Sequence, residues 1–209
     1  MCKCVKAKAN IFVSGGTSSG KTTFLNVLSG FIPPEERVVT IEDSAELRLA
    51  QPNLVRLETK NQNSEGRGEI NMRALIKAAL RMRPDRIIVG EVRDESAADM
   101  LQAMCTGHDG SMSTAHSNSA EETVIRIETM ALWEGHINSE AIKKQIASGI
   151  DLIVHMRRGH DMRRIVSEIA AVEGFVDNRV NLYTLFKSGK RVGELNVAGT
   201  RLYEKLKCA

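Results

Sequence analysis

Short, wholly apolar runs alternate with segments of helical periodicity along most of the chain. Runs such as Ile11–Val13, Val38–Ile41 and Ile87–Val89 are bounded by polar or turn residues, which predicts strands buried on both faces. Between the runs, apolar residues recur every three or four positions, for example after Lys21 and after Met72, which predicts amphipathic helices. This alternation is typical of an α/β fold with a mostly parallel central sheet flanked by helices.

The same pattern predicts the remaining elements. Further strands are expected at residues 54–57, 111–115, 150–156, 164–172 and 180–186, and further helices at residues 97–104 and 120–130. The last of these helices starts with a capping box from Ser119 to Glu122. Pro84 is expected to end the helix that begins at Met72, because the residue before a proline avoids the α region.

Composition narrows the class of protein. The chain has 209 residues, of which 42% are hydrophobic and 26% are charged, as in an ordinary globular domain. No apolar run approaches the roughly 18 residues of a membrane span. A net charge of +3 and an aromatic content of 4% argue against nucleic acid as a partner. Four cysteines without a pair of CxxC knuckles argue against zinc and are typical of reduced thiols in the cytoplasm.

A phosphate-binding motif follows the first strand directly. The segment matches G-x-x-x-x-G-K-[ST] without a mismatch, and it opens the first long helix. In such a loop, inward-facing backbone N–H groups and the helix N-terminus form an anion-binding concavity. Lysine adds a charge for the β- and γ-phosphates, and the threonine hydroxyl is a ligand for Mg²⁺. The expected nucleotide-binding residues are Gly15, Gly16, Thr17, Ser18, Ser19, Gly20, Lys21, Thr22 and the following Thr23.

Acidic residues follow two other predicted strands. Glu91 comes after Ile87–Val89 with only Gly90 between them, which makes Glu91 the candidate general base for water. Because Gly90 stands where an aspartate often ends such a strand, carboxylates near the metal are expected from Glu42 and Asp43, which follow Ile41. Glu46 lies three residues further on and is a second catalytic candidate, although it also fits a solvated acidic turn.

Three cationic or imidazole side chains complete the set of candidates. Arg93 lies two residues after Glu91, so on an extended segment it points the same way, toward a γ-phosphate; the alternative is a surface ion pair with Asp94 or Glu95. His108 and His116 lie in a glycine- and serine-rich stretch after a predicted helix. A neutral histidine can hydrogen-bond a phosphate or a water, but a structural or surface role is the alternative for each.

Four segments in this order resemble the traffic ATPases of type II and type IV secretion and pilus systems. They read GGTSSGKTT, TIEDSAE, RIIVGEVRD and TGHDGSMSTAH, and correspond to the Walker A, Asp box, Walker B and His box of that family. Three segments are similar to the CpaF-like subtype that assembles Tad/Flp pili: SEGRGEI at residues 64–70, ALRMRPDR at residues 79–86, and QIAS at residues 145–148 before the apolar run at residues 150–154. The resemblance extends from about residue 9 to residue 186.

The resemblance implies a RecA-like ATPase domain that uses ATP and Mg²⁺. It implies that Glu91 is the catalytic glutamate, with Glu46, Arg93 and His116 beside it and with His108 near the nucleotide. It also implies a homo-hexamer for full-length members, docked on a platform protein of the inner membrane from the cytoplasmic side. Two residues depart from the family pattern: Ser19 replaces a usual glycine, and Asp94 follows Arg93 where glycine is common.

The resemblance also suggests the organisation of the chain. Residues 1–9 are expected to be the remnant of an upstream linker, residues 10–186 the motor domain and residues 187–209 a C-terminal tail. The expected function is ATP hydrolysis that drives assembly of a Tad/Flp pilus or protein secretion. The alternatives are a type IV secretion or conjugation ATPase, a DNA-acting RecA-like recombinase or helicase, and a nucleotide-binding module that is inactive without an N-terminal domain.

Overall fold

A nine-stranded sheet organises the computed structural model, which describes residues 1–159, 161–194 and 200–208. The strands are β1 Ile11–Gly15, β2 Val38–Glu42, β3 Leu54–Glu58, β4 Arg86–Val89, β5 Met112–Ala115, β6 Leu152–Arg158, β7 Arg164–Val176, β8 Arg179–Lys187 and β9 Lys190–Arg191. The helices are α1 Cys2–Lys6, α2 Lys21–Ser29, α3 Met72–Ala79, α4 Ser96–Cys105, α5 Ala120–Leu132, α6 Ser139–Gly149 and α7 Arg201–Lys207. No helix among these described residues is both long and apolar enough to cross a bilayer.

The strand order is β3-β2-β4-β5-β1-β6-β7-β8-β9. The first six strands in this order are parallel, and β7, β8 and β9 continue the sheet as antiparallel neighbours. The expected fold class, a mostly parallel α/β sheet flanked by helices, is therefore confirmed. Since the parallel strands share one direction, the loops that follow β1, β2, β4 and β5 all emerge at the same edge of the sheet.

Both faces of the parallel sheet are covered, which is why its central strands are apolar throughout. Along β1, Phe12 points into one core cluster with Ile87 of β4, whereas Ile11 and Val13 point into the other. Helices α3, α4, α5 and α6 contribute to the first cluster, and helices α1, α2 and α7 contribute to the second. The sheet thus forms a rigid middle layer that fixes the positions of its strand ends.

Most of the expected elements lie where the sequence pattern places them, but helix α3 ends earlier than expected, and helices α1, α6 and α7 and strand β9 were not expected. Helix α3 ends at Ala79 rather than just before Pro84, because residues 80–82 form a turn and Arg83 has a left-handed φ of 53°. Helix α6 lies in a stretch where no helix was expected, and it begins at an Asn138 cap whose side chain accepts from the backbone N–H of Ala141 at 2.7 Å.

Ion pairs tie the C-terminal helix to the amino edge of the sheet. Asp151 is fully buried and accepts hydrogen bonds from the backbone N–H of Asn10 and from Lys205, both at 2.7 Å. Lys205 also reaches Asp109 at 2.8 Å, and Leu202 is buried in the same core cluster as Val5. The described residues exclude His160, and they also exclude residues 195–199 and 209, which belong to the expected C-terminal tail.

Candidate active site

The phosphate loop leaves β1 and enters α2 in a conformation that requires glycine at two positions. Gly15 has a φ of 152° and Gly20 a φ of 96°, and Ser18 between them has a φ of 59°. A Cβ at Gly15 would lie 2.3 Å from the backbone oxygen of Met156 on β6, and a Cβ at Gly20 would lie 2.8 Å from Arg164 Cδ. Strand β6 and the start of β7 therefore press against the loop from behind.

The rim of this loop is open, whereas its base is closed. Gly16, Thr17 and Ser18 are exposed, and a Cβ at Gly16 would meet no atom within 4 Å. Ser19, where the resembling family usually has glycine, is buried, and its hydroxyl has no hydrogen-bond partner. Thr23 is exposed near the start of α2.

Lys21 is buried and points across the mouth of the loop. Its ammonium donates to the backbone oxygens of Gly15 at 3.0 Å and Gly16 at 3.1 Å, and it lies 3.3 Å from His116 Nε2. Burial lowers the pKa of Lys21, and the negative charge of Glu91 opposes this effect. The ammonium is thus held where a phosphate above the loop would meet it.

Glu91 faces this ammonium across one imidazole ring. Its Oε2 accepts a hydrogen bond from Arg93 Nη2 at 2.8 Å. Its Oε1 lies 3.0 Å from His116 Nε2, but it is buried and no hydrogen bond of good geometry reaches it. A buried carboxylate oxygen without a hydrogen bond is costly, so it marks a position suited to an additional donor such as water.

Arg93 forms ion pairs with acidic side chains of the site. Besides Glu91 it approaches Asp43 at 3.9 Å, while Asp94 instead accepts from the backbone N–H of Ser96 at 2.9 Å. The hydrogen bond to Glu91 raises the pKa of Arg93. The surface ion pair with Asp94 or Glu95 is therefore not formed, and Arg93 lies on the same side as Glu91, as expected for an extended segment.

The acidic loop after β2 is held by one buried carboxylate. Oε1 of Glu42 accepts from the backbone N–H groups of Glu46 at 3.0 Å and Leu47 at 2.8 Å. Asp43 is exposed and accepts from the hydroxyl of Thr59 at 3.2 Å. Glu42 therefore positions the loop, and it is Glu46 that meets the Thr22 hydroxyl, at 3.4 Å.

A shallow pocket between the start of α2 and the loop after β2 has the chemistry to hold Mg²⁺ together with a nucleotide. Thr22, Asp43, Ser44 and Glu46 line it with oxygen donors, which are the ligands that Mg²⁺ prefers alongside substrate phosphates. Within the described part of the chain, no group of three or more His, Cys, Asp or Glu side chains forms a metal cage. The residues therefore fit a metal that arrives with phosphates, and Thr22 is the side chain that would be its direct ligand.

The two candidate histidines lie at opposite ends of β5. His116 follows the carboxyl end of the strand and contacts both Lys21 and Glu91. His108 precedes the amino end, where its backbone oxygen accepts from Ser111 and where neighbouring Asp109 binds the C-terminal helix. Four strand residues at about 3.3 Å each separate the two ends. The structure thus corrects the expectation for His108, which does not reach the nucleotide site.

Burial lowers the pKa of His116, and so do the positive charges of Lys21, Arg93 and Arg126, whereas Glu91 raises it. The imidazole is therefore neutral near pH 7. A neutral ring can place one nitrogen between the Lys21 ammonium and the Glu91 carboxylate without adding a charge to either.

Two arginines near the phosphate loop were not expected from the sequence. Arg164 Nε donates to the backbone oxygen of Ser18 at 3.3 Å, so the start of β7 supports the loop. Arg126 of α5 lines a hollow together with Gly16, Thr17 and His116. Neither arginine belongs to a local motif, and only the packing of distant elements brings them to the loop.

Comparison with known proteins identifies the family. The model for the family "Type II/IV secretion system protein" matches residues 3–187. The chain belongs to this family. A putative conjugal transfer protein of Mycobacterium tuberculosis is 38% identical to this secretion-family chain over 190 residues, which are 91% of the chain and 53% of the relative. The chain thus spans about half the length of the curated relatives it matches.

Solved structures agree with this assignment. The VirB11 ATPase of the Brucella suis type IV secretion system, in complex with sulphate, superposes with a TM-score of 0.74 at 33% identity, over 81% of this chain and 50% of that one. The pilus retraction motor PilT with bound ADP superposes with a TM-score of 0.60 at 25% identity, over 87% of this chain and 50% of PilT. Family and fold are therefore those expected from the four sequence boxes.

Proposed function

We propose that this chain is the ATP-hydrolysing domain of a type IV secretion or conjugal-transfer ATPase. The observation that carries the proposal is the position of Glu91: its buried Oε1 lacks a hydrogen bond and lies beside His116, across from Lys21 of the phosphate loop. A carboxylate in this position can accept a proton from a water that attacks the terminal phosphate.

The roles of the side chains follow from their contacts. Water attacks the γ-phosphorus, its proton passes to Glu91 Oε1, and the bond from the γ-phosphorus to the bridging oxygen breaks, which releases ADP and phosphate. Lys21 faces the charge that develops on the phosphate oxygens, and Arg93 orients Glu91 through its other carboxylate oxygen. Neutral His116 keeps the carboxylate and the ammonium apart.

The metal side of the site is assigned in the same way. Mg²⁺ bound with ATP would neutralise phosphate charge, with Thr22 as its protein ligand. Glu46 accepts a hydrogen bond from the Thr22 hydroxyl and would thereby orient that ligand toward the metal. Glu42 and Asp43 hold the surrounding loop, so their contribution to the metal is through its position rather than through direct coordination.

The choice of machine rests on the names of the relatives. Those names include conjugal transfer and type IV secretion proteins. They favour the alternative function over the expected Tad/Flp pilus subtype, for which residues 64–70, 79–86 and 145–154 were the argument. Residues 10–186 as the motor domain, a homo-hexamer of the full-length protein and docking on an inner-membrane platform at its cytoplasmic side remain proposals that rest on the family resemblance.

Substitution Glu91→Gln tests the assigned base. The amide keeps the size of the side chain but cannot take a proton from water, so ATP turnover should fall by roughly 10²- to 10⁴-fold while the affinity for ATP is retained. Phosphate release and equilibrium binding of a fluorescent ATP analogue are measured at matched protein concentration.

Glu58→Gln is the matched control, because Glu58 ends β3 at the same edge of the sheet but is exposed. Its turnover should equal that of the wild type. Equal turnover of Glu91→Gln and wild type would refute the role of Glu91. Tight ATP binding without any turnover of the wild type would instead support the inactive nucleotide-binding module.

A further inference from the structure

Arg126 lies in the second turn of α5 and faces the phosphate loop. It lines a hollow together with Gly16 and Thr17 of the loop rim, residues 116–118 and Glu122. On a helix, residues four apart share a face, and side chains lean toward the helix N-terminus. Glu122 precedes Arg126 by four residues, so the guanidinium leans back toward the loop that carries His116.

Arg126 also has no acidic partner of its own. Oε2 of Glu122 accepts from the backbone N–H of Asn118 at 3.0 Å and from its side-chain amide at 2.8 Å. Within the part of the chain that the structure describes, Arg126 makes no hydrogen bond or ion pair. Its side chain is exposed, so its charge is available to a ligand in the hollow.

The other charges of the site leave a deficit on the phosphate side. Arg93 is paired with Glu91 and approaches Asp43, so its charge is already compensated within the chain. Lys21 makes no ion pair within the described residues, because its ammonium contacts the backbone oxygens of Gly15 and Gly16 and His116 Nε2. A nucleoside triphosphate carries several negative charges, which is more than this one cation can balance. An arginine with a free guanidinium is well suited to bind phosphate oxygens in pairs.

The side of the loop on which Arg126 stands indicates which phosphate it meets. His116 contacts both Lys21 and the proposed base Glu91, so the hollow that His116 shares with Arg126 adjoins the point of hydrolysis. Arg157 and Arg158 line a separate hollow with His155, toward β6. The geometry therefore favours Arg126 over these arginines for contact with the terminal phosphate.

We propose that Arg126 binds the γ-phosphate and thereby distinguishes a nucleoside triphosphate from a diphosphate. The proposal rests on the proposed function, because it needs a nucleotide in the phosphate loop. Arg126 is then a binding residue for the triphosphate state, and Glu91 is the proposed base on the other side of His116.

Equilibrium binding of ADP and of a non-hydrolysable ATP analogue tests this proposal. Substitution Arg126→Gln should weaken binding of the analogue by roughly 10- to 100-fold, the value of a hydrogen bond to a charged group, and change ADP affinity by less than about twofold. The affinity of Arg126→Lys for the ATP analogue should lie between those of the wild type and Arg126→Gln, because lysine keeps the charge but not the paired donors. The matched control is Arg179→Gln, which removes an exposed arginine beside the other face of α5.

Nuclear magnetic resonance of His116 supplies a second measurement. The positive charge of Arg126 lowers the pKa of His116, as do Lys21 and Arg93, whereas Glu91 raises it. Arg126→Gln should therefore raise the pKa of His116, and Arg126→Lys should leave it nearly unchanged. Equal weakening of both nucleotides, or no change in either, would overturn the role of Arg126 while leaving the proposed function intact. A wild-type chain that binds neither nucleotide would overturn both.

Discussion

The two adjacent glycines that open the phosphate loop should respond very differently to the same substitution. In Gly15→Ala, the new Cβ would lie 2.3 Å from the backbone oxygen of Met156 and 2.5 Å from Ser19 Oγ. Gly15 pairs with Met156 in the β1–β6 register, so neither backbone can move without disturbing the sheet. Overpacking costs about 1–3 kcal/mol and the φ of 152° costs about 1–3 kcal/mol more for alanine.

The expected loss of unfolding free energy for Gly15→Ala is therefore about 2–6 kcal/mol. For a chain of this size, at about 2–4 °C per kcal/mol, that corresponds to a drop in Tm of roughly 4–24 °C. Urea denaturation and thermal melting are followed by circular dichroism without nucleotide, so that ligand binding does not contribute. Because the loop must shift to make room for the methyl group, ATP affinity should fall as well.

Gly16→Ala is the internal control, because a Cβ at Gly16 meets no atom within 4 Å. Its unfolding free energy should stay within about 0.5–1 kcal/mol of the wild type, with a gain expected if the lost freedom of the unfolded chain dominates. Equal destabilisation by the two substitutions, or a fully stable Gly15→Ala protein, would refute the claim that β6 presses against this loop.

Two further predictions concern charges away from the phosphate loop. Asp151→Asn should lower the unfolding free energy by about 3–5 kcal/mol in urea denaturation, because it leaves Lys205 beside a buried neutral amide. Glu140→Gln, in an exposed pair with Lys144, should leave the urea midpoint nearly unchanged. Burial lowers the pKa of His155, so the unfolded chain binds the proton more tightly than the folded chain does. The unfolding free energy should therefore fall as the pH drops below about 6.5. In His155→Gln, the loss of unfolding free energy between about pH 7.5 and about pH 5.5 should be smaller.

The sequence was most informative where a buried strand runs directly into a chemical motif. The run Ile11–Val13 before the phosphate loop and the run Ile87–Val89 before Glu91 both have parallel neighbours, so their polar ends meet at one edge. That rule alone brings Lys21 and Glu91 into one site. It depends on strand direction, which the alternation of strands and helices already predicts.

Other features depended on information that local patterns do not contain. His108 and His116 are both in one polar stretch, and only the knowledge that β5 lies between them separates the two edges of the sheet. Helices α1 and α7 are five and seven residues long, too short for a strong periodic signal, and packing against each other and the core stabilises them. Arg126 and Arg164 approach the loop from α5 and β7 through tertiary contacts alone.

The strand order explains why an imidazole stands between the lysine and the glutamate. Strand β5 lies between β1, which carries the phosphate loop, and β4, which carries Glu91. At about 4.8 Å per strand, β1 and β4 are about 10 Å apart, too far for a direct contact between an ammonium and a carboxylate but enough for a phosphate and a water. His116 follows the intervening strand and spans the gap, within 3.3 Å of Lys21 and 3.0 Å of Glu91. The inserted strand thus sets the distance between Lys21 and Glu91 on which the proposed hydrolysis depends, and His116 at its end contacts both side chains.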